Sequence, residues 1–364
     1  MTTTCREDKG PRGRMRPFRF NPFELAFTGA PPRELSGLMT GLLRRDWGGR
    51  RIAVACNAGA ESGGQGLDGA AARCVDRGGL RSVSYPAEHD AYLHSQPMVD
   101  ADWVFHALPE PPVDAIPVTG PGAIPERAAA PEGGTAVCAA PPSPGPDASE
   151  GLARQIETYF EARARAVPLL GLVLAGGKSL RMGEDKARIH YHGAPQAEHA
   201  AALLGEWCGQ VYVSVRPGQS PDGLAGSRDV DCIEDTFLGL GPMGGVLSAL
   251  KARPDAAWLT LACDLPFMDR ETLGALVAQR DPFRAATAYE SPREGFPEPL
   301  CAIYEPKSVF RLLQFMALGY HCPRKVLINS PIKRLTPERP EALVNANSPD
   351  ERDAVLARLG GAAR

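Results

Sequence analysis

From residue 168 onward, short apolar runs alternate with stretches in which apolar positions recur every three or four residues. The runs LLGLVLA (169–175), QVYVSV (210–215), DCIED (231–235), AAWLTLACD (256–264), RAATAYE (284–290) and PLCAIY (299–304) read as strands. Between them AEHAAALLGEW, GGVLSALKA, RETLGALVAQR and KSVFRLLQFMAL carry helical spacing, and NANSPDERDAV opens a last helix. Strand and helix in alternation predict an α/β fold: a doubly wound, mostly parallel, Rossmann-like sheet over 168–364. Earlier in the chain, ELAFTG, RRIAVAC, LRSVSYP, ADWVFHAL, AIPVTG and TAVCAA read as short buried strands, which predicts a smaller α/β domain over 21–140. The Pro-, Ala- and Gly-rich stretch PEGGTAVCAAPPSPGPDASEG then breaks the pattern. After it, Leu152, Ile156, Tyr159 or Phe160, and Ala164 fall at helical spacing with Ser149 as the expected cap. Residues 141–167 are thus a linker with a connecting helix, and residues 1–20 read as a flexible basic N-terminus.

Charge narrows the function classes. The 364 residues carry 40 Lys and Arg against 43 Asp and Glu, a net charge of −3, which lacks the basic excess needed to neutralise many phosphates. A protein whose main partner is nucleic acid is therefore not expected. The first residues are charged where a secretory signal needs an apolar core, and no window approaches the run of about 18 apolar residues that a membrane helix needs. A cytoplasmic protein without a membrane partner is expected. Nine cysteines include no CxxC pair, so reduced thiols are expected in place of a zinc knuckle or disulfide framework.

In a doubly wound sheet, ligands bind where the parallel strands end. The loop after the first C-terminal strand is LAGGKSLRMGEDKA (174–187). Its GKS is not a Walker A motif, which needs a glycine five residues before Gly177, where Leu172 stands. Nor do adjacent glycines followed by a charged loop make a dinucleotide fingerprint. Gly176 and Gly177 leave room for backbone N–H groups to approach phosphate oxygens, and Arg181 and Lys186 add two positive charges, so the loop suits a polyphosphate. The alternative is a solvated basic loop. His190 and His192 in RIHYHG fall on one face of an expected strand with no third ligand at metal spacing, so zinc is not expected. No G-x-S-x-G surrounds Ser179, and covalent catalysis is not indicated.

The loop resembles that of the molybdenum cofactor guanylyltransferases, the MobA-like NTP transferases. The likeness continues in order through Val213–Ser214, Glu234–Asp235, GPMGG at 241–245, Cys263-Asp264-Leu265-Pro266 and NANSPDE at 345–351. The resemblance implies that the backbone of Leu174, Ala175 and Gly176, with Gly177, holds the guanine and ribose side of GTP. It implies Lys186 on the phosphates with Arg181 sharing that load, Asp235 on the nucleoside, and Asp264 on Mg²⁺. Ser214 replaces the family's asparagine. Asn345 and Asn347 resemble positions that face the second substrate, the alternative being turn asparagines, and Ser348 reads as a helix cap. Arg324 meets an acceptor phosphate or merely solvates a helix start. The GPMGG glycines serve either a ligand or only the strand-to-helix turn. Asp264 and Asp235 have bland alternatives, an Asp-X-Pro turn and a strand-end acid.

Catalytic roles thus fall to Arg181, Lys186 and Asp264, and the implied reaction is transfer of GMP from GTP to molybdopterin or its molybdenum-loaded form. CTP, another phosphorylated acceptor, or a non-catalytic cofactor-binding or chaperone role are the competing readings. The first domain resembles the nucleotide-binding adaptor often partnered with these transferases. Aligning Gly29 as the first P-loop glycine puts Glu34 and Leu35 where Gly-Lys is needed and leaves only Ser36 in place. It reads as a degenerate adaptor handling the pterin or an apo-molybdoenzyme or cofactor carrier.

Overall fold

The computed structural model describes residues 24–28, 45, 47, 50–56, 72–76, 79–83, 103–107, 116–117, 136–139, 146–176, 185–219, 230–292 and 294–362. The P-loop-like positions Gly29, Glu34, Leu35 and Ser36 lie outside them. In the N-terminal part, β1 (Glu24–Thr28), β2 (Ile52–Cys56), β3 (Ala72–Asp76), β4 (Gly79–Val83), β5 (Trp103–Ala107), β6 (Ile116–Pro117) and β7 (Ala136–Ala139) form one sheet in the order β4-β3-β2-β5-β1-β7-β6. Strands β2, β5, β1, β7 and β6 run parallel, while β3 and β4 add an antiparallel edge. The sequence of β3, ARCVD, mixes polar with apolar positions and gave no apolar run to recognise.

Helix α1 (Pro146–Ala166) follows. It begins three residues before Ser149, so the expected capping serine lies in the first turn and the helix opens on a proline, whose fixed φ suits that position and which has no N–H to leave unbonded. Leu152, Ile156, Tyr159, Phe160 and Ala164 are buried. Phe160 stacks on Trp103 at 4.9 Å, and Trp103 meets Phe283 edge-on at 5.7 Å. Arg50 donates to both Asp281 oxygens at 2.9 Å.

The C-terminal sheet has the order β10-β9-β8-β11-β13-β12-β14, with β8 (Leu169–Leu174), β9 (Val211–Val215), β10 (Asp231–Glu234), β11 (Ala257–Ala262), β12 (Ala286–Glu290), β13 (Pro297–Tyr304) and β14 (Ile332–Leu335). All neighbours are parallel except β13, which is antiparallel to β11 and β12. Because β13 runs backwards, its first residues lie at the rim where the parallel strands end. Helices α2 (Gln196–Gly205), α3 (Pro242–Ala252), α4 (Arg270–Ala278), α5 (Ser308–Ala317), α6 (Pro323–Ile328) and α7 (Pro349–Ala362) complete the unit.

Alternation along the strands divides the core. Val173, Leu259 and Leu261 face Leu204 of α2 and Leu273 and Leu276 of α4, whereas Leu172 and Trp258 face Met243, Leu247 and Leu250 of α3. Each of these large side chains contributes roughly 1.5–3 kcal/mol by burial. With both faces covered, only the carboxyl rim of the sheet is left open for chemistry.

Candidate functional site

Two groups of side chains stand on that rim, one on each flank of β8. On the first, Leu174 pairs with Ser214, the fourth residue of β9. The Ser214 hydroxyl donates to Asp235 Oδ1 at 2.7 Å, and Asp235 follows β10 directly. Burial, together with the Glu234 charge, raises the Asp235 carboxyl above its ordinary range, and the Ser214 bond pulls it back only in part. The other oxygen, Oδ2, would lie 3.2 Å from a Cβ on Gly176. Asp235 and Gly176 therefore face each other.

Backbone groups on this flank are partly committed. Ala175 N–H donates to Ser214 O at 3.2 Å, and Ala175 O accepts from Gln219 Nε2 at the same distance. Gln219 Oε1 in turn accepts from Arg216 N–H and Nε–H, which fixes the loop after β9. Gln219 carried no signal in the sequence because the atom that ties it to this flank is a backbone carbonyl 44 residues away. Two of the GPMGG glycines have a packing role. A Cβ on Gly245 would come within 2.5 Å of Ser214 Oγ, and one on Gly244 within 2.3 Å of the Phe237 carbonyl oxygen. Gly245 lets α3 press against Ser214, and Gly244 lets it pack on the Phe237 carbonyl.

On the second flank, Asp264 stands just past β11 and Lys186 opens a short 3₁₀ turn, Lys186–Arg188, capped by the Asp185 carboxylate. Lys186 Nζ lies 3.7 Å from Asp264 Oδ2 and donates to Asn347 Oδ1 at 2.7 Å. Asp264 O accepts from Ala346 N–H at 2.9 Å, so the segment Asn345–Asn347 is tied beneath the aspartate. Burial pushes the Asp264 carboxyl up, against the pull of Lys186 and the Asn345 side chain. Its Oδ1 is buried and has no hydrogen-bond partner among the described residues. A hard divalent cation seeks one or two such carboxylate oxygens and completes its shell with water and phosphate. The residues fit such an ion.

Helix α7 secures this flank. Glu351 Oε2 accepts from Asn347 N–H at 2.6 Å and Ser348 N–H at 3.1 Å, while Glu351 N–H donates to Ser348 Oγ at 3.3 Å. The expected capping box is present, and it orients Asn347 as well as starting the helix. Those backbone N–H groups hold the Glu351 carboxyl below its ordinary range. Gly177 and Arg181 lie outside the described residues. Arg324, at the start of α6, is paired with Glu294 and lies 3.9 Å from Glu298.

The expected strand at His190 and His192 is absent: residues 191–194 form bends, closed by a single bridge from His190 to Pro195. His192 Nε2 is bonded to Pro266 O at 2.8 Å, and its ring stacks on His199 at 3.9 Å.

The pattern of the MobA-like NTP transferase domain matches residues 171–356, just over half of the chain and all of both flanks. The chain belongs to the MobA-like NTP transferase family. A molybdenum cofactor biosynthesis bifunctional protein of Synechocystis sp. is 37% identical over 195 residues, 54% of this chain and 56% of that protein. This chain thus spans little more than half the length of that relative. A molybdenum cofactor guanylyltransferase of Pseudomonas entomophila is 30% identical over 194 residues, 51% of this chain and 97% of that protein. In this MobA-like transferase the matched segment begins inside β8 and ends inside α7, so it encloses every described candidate residue from Leu174 to Asn347.

Proposed function

We propose that this transferase moves GMP from GTP to molybdopterin or its molybdenum-loaded form and releases pyrophosphate. The observation that carries the reading is the pairing of Lys186 with both Asp264 and Asn347 across the rim from Asp235 and Gly176. One flank offers a carboxylate and a glycine backbone to a nucleoside, and the other gathers a cation and a buried carboxylate where phosphates would lie. The relatives named as guanylyltransferase and as cofactor biosynthesis protein support the choice of reaction.

In the proposed reaction, an oxygen of the acceptor's terminal phosphate attacks the α-phosphorus of GTP. A new P–O bond forms, the bond from the α-phosphorus to the bridging oxygen breaks, and pyrophosphate leaves with that oxygen. The nucleophile is already an anion near neutral pH, so no side chain need remove a proton, and the protein's part is to position and to neutralise charge. Lys186 meets the phosphates, Asn347 fixes its ammonium, and Arg181 shares the charge. Asp235 takes ribose or base donors while Ser214 holds it in place. Mg²⁺, held by Asp264 with Asn345 beside it, would supply charge neutralisation on the phosphates when bound.

Arg324, Asn345 and Asn347 are assigned to the acceptor side, and the N-terminal sheet to the handling of the pterin or of an apo-molybdoenzyme. Among the described residues no helix is long and apolar enough to cross a membrane. The test is to incubate the purified chain with each of the four NTPs and molybdopterin, with and without molybdenum, and to identify products by mass. A guanosine adduct with stoichiometric pyrophosphate is expected. A cytidine adduct overturns the nucleotide choice, and no adduct with any NTP overturns the reaction.

A further inference from the structure

Glu298 takes no part in the chemistry above, yet it is an acid where the chain has little reason to place one. It is the second residue of β13, PEPLCAIY, and only 3% exposed. A carboxylate buried among apolar neighbours is destabilising unless charge and hydrogen bonds compensate it, and an apolar residue would fill the position without that cost. Its place in the register is informative. Leu261 of β11 pairs with Cys301, so Glu298, three residues before Cys301 on the reversed strand, lies toward the end of the sheet where Asp264 follows β11. The Asp264 charge acts on Glu298 and, after burial, helps raise its carboxyl above the ordinary range.

Each oxygen of Glu298 has a direction. Oε1 accepts from Leu300 N–H at 3.0 Å, which locks the side chain to its own strand. Oε2 faces Arg324 Nη2 at 3.9 Å. Arg324 is also paired with Glu294, which is half-exposed in the turn before β13. The guanidinium therefore has one buried and one solvated anchor. A solvated ion pair holds little and exchanges readily, whereas a carboxylate locked to its own strand keeps a stationary charge behind the guanidinium.

We propose that Glu298 is a positioning residue for the acceptor: it holds the Arg324 guanidinium at the mouth of the site beside Asp264, where Arg324 meets the acceptor's phosphate in place of Glu294. This rests on the GMP-transfer reading. Glu294 is the arm the phosphate displaces, and Glu298 is the arm that stays.

Glu298→Gln keeps the size and the oxygen that accepts from Leu300 but removes the charge behind Arg324. With GTP and molybdopterin as substrates, it raises the acceptor KM about tenfold, while GTP KM and kcat at saturating acceptor stay within about twofold of wild type. Arg324→Ala gives the same split, and the double variant is no worse than Arg324→Ala, because the two residues act as one unit. Glu294→Ala leaves the acceptor KM at or below the wild-type value. A merely structural Glu298 would move GTP KM, kcat and melting temperature together, and that outcome overturns the proposal. So do an unchanged acceptor KM in Glu298→Gln and additive losses in the double variant. If the wild-type chain makes no adduct, the same variants are compared by the change in molybdopterin fluorescence on binding. Weaker binding by Glu298→Gln then supports the positioning role and overturns only the transfer reading. Equal binding by all variants, or none by the wild type, overturns the positioning role.

Discussion

Asp235 and Asp264 are the same residue type at the same kind of place, the end of a parallel strand on the rim, yet they stand in different company. Asp235 has a neutral partner, the Ser214 hydroxyl, and turns its other oxygen toward Gly176. Asp264 has a cationic partner, Lys186, and keeps an oxygen without a donor among the described residues. Burial raises both carboxyls. The difference lies in what remains available. A carboxylate oriented by a hydroxyl is ready for the hydroxyl and amine donors of a nucleoside, whereas one beside an ammonium, with a free oxygen, is ready to share a cation with phosphates. Partner chemistry, more than residue identity, separates the flank of Asp235, proposed as the recognition flank, from the charge flank of Lys186 and Asp264.

The contrast makes its largest claim on the charge flank. Asp264→Ala should lower kcat by about 1,000-fold, with far-ultraviolet circular dichroism unchanged. Lys186→Met should cost less, about 100-fold in turnover, since Arg181 shares its load. If either loss appears instead as a rise in GTP KM at constant kcat, the division between flanks fails. On the recognition flank, Gly245→Ala should destabilise the fold by about 1–3 kcal/mol in urea denaturation, because its Cβ would strike Ser214 Oγ at 2.5 Å.

The smallest effect concerns pH. Because the folded protein holds the Asp235 carboxyl above its unfolded value, the contribution of this group to stability is fully present below the unfolded value and is lost as pH rises through the folded one. Asp235→Asn should therefore melt above wild type at neutral pH, with the gap closing as the medium is acidified below the ordinary carboxylate range. A gap that widens in acid would mean that Asp235 is stabilised in its ionised form.

Most of the C-terminal strands were legible because β8, β11 and β13 are nearly continuous apolar runs. The antiparallel direction of β13 was not, since hydrophobic pattern carries no polarity. Strand β14, IKRL, was missed because two basic residues interrupt it on the sheet edge. At the site, Lys186, Asp235 and Asp264 stood out as charges in loops after strands. Glu298 stayed hidden as a single acid inside an apolar run, and Gln219 because it bonds the distant Ala175 backbone and its neighbour Arg216. The role of GPMGG stayed open between ligand and turn because a glycine making room for a serine hydroxyl or a carbonyl is indistinguishable in sequence from one making room for a nucleotide.

The bond from Lys186 to Asn347 spans 161 residues, and Asn347 is oriented by Glu351 in the first turn of α7. Chains are made from the N-terminus onward and domains generally fold as units in that order. A nascent chain can present β8 and Lys186 well before Asn347 exists, but its lysine has no amide to fix it. The charge flank therefore becomes complete only when the start of α7 has cleared the ribosome, so the bond from Lys186 to Asn347 reports that synthesis has passed residue 351.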